Sequence, residues 1–124
     1  MYSHMVVGSN DIDRSKTFYD ATFGAIGGKP GMKDDKGRLI YMHNGGIFLV
    51  SPPIDGQPAT HANGGTVGFA MEPAQADAWH AAGVANGGKS IEDPPGVREG
   101  GFGALYLAYL RDPDGNKLCA LHRM

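Results

Sequence analysis

Reactive side chains are few in this sequence, and most sit where strands or loops would present them. His4 lies at the start of an N-terminal strand, where an imidazole serves as a metal ligand, a general base or a satisfied polar group. Cys119 sits in the terminal apolar run Lys117-Leu118-Cys119-Ala120-Leu121. As a nucleophile its thiol would need a cationic neighbour or a helix N-terminus. A lone thiol in such a strand is more often a small buried hydrophobe. Tyr106 and Tyr109 are three residues apart on one strand and so point to opposite faces. One is expected to reach a ligand oxygen and the other to pack outward. Arg98, in the apparent loop Arg98-Glu99-Gly100-Gly101, is either a guide for an anionic substrate or a solvated loop charge. His43, His61, His80 and His122 have no ligand spacing among themselves, and no glycine-rich stretch has the lysine and hydroxyl residue of a phosphate-binding loop.

The elements that must position these groups fit one small domain. The chain has 124 residues, 41% hydrophobic and 19% charged, which is ordinary for a globular domain with a core of its own. A net charge of -2 without a basic stripe argues against nucleic acid as a partner. No apolar run approaches the length of a membrane span. Met1-Tyr2-Ser3-His4 lacks the charged and apolar regions of a secretion signal, and a single cysteine suits a reducing cytoplasm.

The order of elements repeats about the midpoint. Met5-Val6-Val7 opens a strand; Asn10 to Asp13 offer N-cap oxygens; Ile12, Ser15, Phe18, Tyr19, Thr22 and Phe23 recur at helical spacing. Residues 38–42 and 47–50 read as strands joined by a turn containing Asn44-Gly45. In the second half Thr66 to Met71 is a strand, Pro73 to Ala82 a helix, and Leu105 to Leu110 a strand before the last one. Gly87-Gly88-Lys89 repeats Gly27-Gly28-Lys29. The expectation is a single α+β domain over 1–124, with βαβββ modules at 1–51 and 65–124 and a Pro/Gly-rich linker at 52–64. Paired edge to edge, the modules would make one curved, partly closed mixed sheet with helices outside and a concave cavity inside.

Asp112-Pro113-Asp114-Gly115-Asn116 is the most distinctive segment: proline presets a turn and Gly115 can close it at positive φ. Together with His4 and the helix pattern Asp11-x-x-x-Ser15-x-x-Phe18-Tyr19, it resembles the glyoxalase / bleomycin resistance protein / extradiol dioxygenase group, the vicinal oxygen chelate superfamily. The resemblance spans nearly the whole chain and implies the paired βαβββ fold and a homodimer. It also implies a small-molecule site on the concave face, where metal-dependent members place four ligands. Carried over by position, those four slots hold His4, Phe48, Thr66 and Cys119. Phe48 cannot ligate, Thr66 is a poor ligand, and a glutamate is usual where Cys119 stands, so a divalent metal is disfavoured and no cofactor is expected. A nonstandard site built from His4, Cys119 and a further donor such as His61 is the remaining metal option.

The resemblance therefore implies binding of a small organic molecule, as a lyase or isomerase that moves a proton next to a carbonyl or as a metal-free binding protein without turnover. His4 is the candidate base; Phe48, Thr66, Tyr106, Cys119 and Arg98 are the candidate substrate contacts. Strand parity adds an expectation: Cys119 and Leu121 share a face with Phe48 and Val50, and His4, Val6, Thr66 and Gly68 complete the floor.

Overall fold

A computed structural model describes residues 1–124. In the first half β1 (Met5–Gly8) leads to α1 (Ile12–Gly24), then β2 (Met32–Lys33), β3 (Leu39–His43) and β4 (Gly46–Ser51). The Asp11 side chain accepts from the Arg14 N–H at 3.0 Å and so caps α1. Its buried stripe is Ser15, Phe18, Tyr19, Thr22 and Phe23, as the helical period predicts. Asn44 and Gly45 both take positive φ, 49° and 81°, which is what a two-residue hairpin needs to match strand twist. The sheet order is β1-β4-β3-β2, with β1 parallel to β4.

The second half runs β5 (Val67–Ala70), α2 (Pro73–Ala85), β6 (Lys89–Ser90), β7 (Gly96–Gly100), β8 (Gly103–Arg111) and β9 (Lys117–Arg123). Pro73 starts α2, and the Gln75 side chain accepts the Glu72 N–H at 2.9 Å. β7 is an addition to the expected pattern. Arg98 lies in this strand, not in a loop, because Gly96 to Gly100 pairs antiparallel with β8 despite its glycines. The sheet order is β5-β9-β8-β6, with β7 also on β8 and β5 parallel to β9.

The architecture is α+β with two mixed sheets, not closed, in place of one continuous curved sheet. β1 and β5 each pair on one side only, so the modules meet through side chains instead. Phe69 of β5 lies 5.6 Å from Phe23 of α1, 5.4 Å from Phe48 of β4 and 6.4 Å from Trp79 of α2, ring to ring. A Cβ on Gly83 of α2 would stand 2.4 Å from Leu110 and 3.2 Å from Phe18, so the bare glycine is what lets α1, α2 and β8 converge. One core thus covers the helix-facing side of both sheets, from Phe18 and Leu39 to Trp79 and Leu118. The opposite sides carry no helix.

The Asp112 to Asn116 turn is the polar counterpart of this core. Asp112 accepts from the Tyr19 hydroxyl at 2.5 Å, the Asp114 and Asn116 N–H groups at 2.9 Å each, and Asn116 Nδ2 at 2.8 Å. Asp114 accepts from the Asn10 N–H at 2.9 Å, Arg14 at 2.8 Å and Ser15 at 3.2 Å, which sets a carboxylate at the N-terminal end of α1. Asn116 donates to the Gly8 carbonyl at 3.0 Å. The turn therefore latches the second module onto the start of the first helix. The linker is held at the same corner: Ala59 and Asn10 exchange two hydrogen bonds, at 2.7 and 3.1 Å.

Candidate functional site

Antiparallel pairing about the latch turn decides what lies beside Cys119. On the helix-free face of the second sheet the cross-strand pairs are Arg111 with Lys117, Tyr109 with Cys119, Leu107 with Leu121, and Leu105 with Arg123. Gly68 flanks Cys119 on the other side, from β5, and no atom stands within 4 Å of where its Cβ would be. Leu118 and Ala120 point the other way, into the core. The result is an apolar floor with a polar edge.

Arg98 forms that edge. Its guanidinium donates to the Leu107 carbonyl at 2.9 Å and to the Asp93 and Pro94 carbonyls at 2.7 and 2.9 Å, and it lies 5.8 Å from the Tyr109 ring centre. Lys117 approaches the same ring at 5.0 Å and pairs with Glu92 at 2.5 Å. Glu92 takes φ 58°, a left-handed conformation that is costly for a residue with a side chain. The loop before β7 thus holds a carboxylate beside two cations and one tyrosine.

Burial outweighs the cations around the thiol. Burial pushes the Cys119 thiol up, and Tyr109, Lys117 and Arg98 only partly counter this. Burial, then the neighbouring thiol, also raises Tyr109, so both stay protonated near neutral pH. A buried thiol that keeps its proton is a poor nucleophile.

The other expected contacts fall elsewhere. Phe48 and Val50 point into the helix-side core, since Phe48 registers with Met5 and packs on Tyr19 at 5.1 Å. The shared face with Cys119 is thereby overturned: residue 48 is one step out of phase, and Leu49, beside Val6, occupies the helix-free face. Tyr106 also turns to the helix side, where its hydroxyl donates to Asp77 of α2 at 2.6 Å. Tyr109 is the tyrosine on the Cys119 face. Thr66 is exposed just before β5. His4 is exposed before β1, with Nδ1 at 2.7 Å from the Ser3 hydroxyl. His61 lies against Gly115, in the corner of the latch.

No three His, Cys, Asp or Glu side chains converge on a point that could hold a metal ion. The Phe48 slot has no donor and the Thr66 slot a weak one, so these residues do not fit the divalent ion of metal-dependent relatives, and His4, Cys119 and His61 do not meet within one chain.

Sequence reasoning missed Glu92, Lys117 and the choice of Tyr109. The last two had a signal: counting outward from the Asp114 turn pairs residue 109 with 119 and 111 with 117. Glu92 had none, because its position depends on a loop.

A two-module α+β chain with a helix-free sheet face, latched by an Asp-Pro-Asp-Gly-Asn turn, defines a glyoxalase-like protein. The family model for the Glyoxalase/Bleomycin resistance protein/Dioxygenase superfamily matches residues 2–120, and the chain belongs to that superfamily. A glyoxalase/bleomycin resistance protein from Albidiferax ferrireducens T118 is 58% identical, with TM-score 0.95 and 99% of both chains covered. A glyoxalase-related enzyme from Fulvimarina pelagi shares the fold at 18% identity and TM-score 0.72, over 99% of this chain and 88% of its own. The fosfomycin resistance protein FosX from Mesorhizobium loti does so at 11% identity and TM-score 0.69, over 100% and 92%. No curated protein matches the chain. Neither helix is long and apolar enough to cross a membrane.

Proposed function

We propose that the chain binds a small organic molecule against the helix-free face of its second sheet, without metal and without turnover. The observation that carries this reading is the buried Cys119 paired with Tyr109, at the slot where metal-dependent relatives place a carboxylate. Leu105, Leu107 and Leu121 supply apolar contact, while Arg98 and Tyr109 supply the few oriented donors that such sites use. A lyase or isomerase would need a base here. His4, the candidate for that role, belongs to the other module and bonds only Ser3.

The same reading includes a homodimer in the reducing cytoplasm. Val6 and Met42 are 51% and 59% exposed on the helix-free side of the first sheet. β1 and β5 each leave one backbone edge unpaired. A second copy of the chain would cover that apolar face and those open edges.

The experiment is a thermal-shift screen of the full chain against aromatic and drug-like compounds, repeated with Leu121→Arg. Compounds that raise the wild-type midpoint and not that of the variant support the site. Equal shifts in both proteins would place binding elsewhere.

A further inference from the structure

A cleft of about 240 Å³ opens on the opposite, helix-facing side, between the modules. Its walls are Phe23 of α1, Tyr41 and Phe48 of the β3–β4 hairpin, Met5 of β1 and Phe69 of β5. It does not include Cys119, Tyr109 or Arg98. The walls are ordered by one another. Phe23 and Tyr41 stack at 4.8 Å and 16°, and Phe69 stands edge-on to both Phe23 and Phe48, at 77° and 76°. The Tyr41 hydroxyl is engaged with Asp20 at 2.7 Å, so its ring is fixed and its polar end faces away.

The chemistry of the lining selects its occupant. Nine of the thirteen lining residues are hydrophobic, and none is Asp, Glu, Lys or Arg. A charged ligand would lose its hydration with no partner in return. Flat rings presenting both faces and edges favour a planar π-system, which gains offset or edge-to-face contact beyond area burial. The volume exceeds the roughly 150 Å³ that holds benzene in an apolar cavity, so one or two fused rings fit. The His43 imidazole lies at the rim, 6.3 Å from the Phe23 ring, with no hydrogen-bond partner within the chain.

We propose that this inter-module cleft is a second binding site, for a neutral planar aromatic molecule of one or two rings whose single polar group meets His43. It adjoins the Cys119 face at β5, where Gly68 both lines the cleft and pairs with Cys119, but it shares none of that face's polar side chains. Because β5 forms one wall and the first module the others, the occupant would bridge the two modules.

The test uses the full chain with isotope-labelled methionine methyl groups and indole as the probe. Met5 lines the cleft, while Met124, whose N–H bonds the Ala104 carbonyl at the start of β8, lies outside it and serves as the control. Saturable movement of the Met5 methyl signal with Met124 unmoved is expected. His43→Phe keeps a ring but removes the hydrogen bond, and should weaken indole about three- to tenfold with the melting midpoint preserved. Val67→Trp should fill the cleft and abolish the response. The proposal is overturned if Met5 does not respond, if Met124 responds in its place, or if His43→Phe binds indole as the native chain does.

Discussion

The Tyr19 hydroxyl donates to the Asp112 carboxylate across 93 residues of sequence, 2.5 Å from oxygen to oxygen and with both side chains buried. One partner belongs to the first helix and the other to the last turn. The most distinctive motif of the chain is thus an inter-module fastening, and the ligand face begins on the strands that leave it. Tyr19→Phe would leave one of four donors to a buried carboxylate missing. The expected loss is about 1–3 kcal/mol in urea unfolding at neutral pH. A change within about 0.5 kcal/mol, the size of an ordinary surface substitution, would mean that the latch is dispensable.

Stability should fall on the alkaline side. Burial and then Asp112 hold the Tyr19 phenol well above the usual tyrosine range, and burial and then Asp20 do the same for Tyr41. The folded state keeps protons that the unfolded chain releases near about pH 10. Stability is therefore full below that value and declines as pH rises above it. Tyr41→Phe should flatten the decline in a series of chemical unfolding curves, and an unchanged slope would refute the assignment.

The acid side rests partly on Asp20. Burial alone would raise this carboxyl, but Lys16, the Gly31 N–H and the Tyr41 hydroxyl together hold it below its ordinary value. Its contribution is present above the unfolded value of about 3.9 and is lost as pH falls through the folded value. Asp20→Asn should be less stable at neutral pH and lose less on acidification. Parallel acid limbs for variant and native chain would contradict this.

Gly83 sets two effects against each other. In an exposed helix interior Gly→Ala gains about 1 kcal/mol. Here the new methyl would sit 2.4 Å from Leu110, and overpacking costs about 1–3 kcal/mol. Steric crowding should win, so Gly83→Ala lowers the melting midpoint. A rise would show that α2 can move off β8 at little cost.

Cys119 should resist thiol reagents at neutral pH until the chain unfolds, because it is buried and its thiol is pushed up. Modification of the native chain as fast as of the denatured one would show an open, activated thiol.

How far the sequence could be read depended on the range of the interaction. The α1 stripe and the Asn44-Gly45 hairpin were readable because a helix period and a two-residue turn are local. Tyr109 was within reach by counting from Asp114, but choosing it over Tyr106 required knowing which strand face the helices cover. Phe48 was misplaced by one residue, and in a strand one residue reverses the face. β7 was hidden by glycines that read as loop. The latch was out of reach, since nothing local in Asp112 points to Tyr19, and so were the contacts that join the two sheets, Phe69 with Phe23 and Gly83 with Phe18.

The proposed binding face works without a metal. Elemental analysis of the full chain, purified without chelator in its native assembly, tests it most directly. The expected result is no stoichiometric divalent metal, unchanged on replacing His4 or Cys119 with Ala. About one zinc, nickel, manganese or iron ion per chain, lost with either substitution, would contradict it.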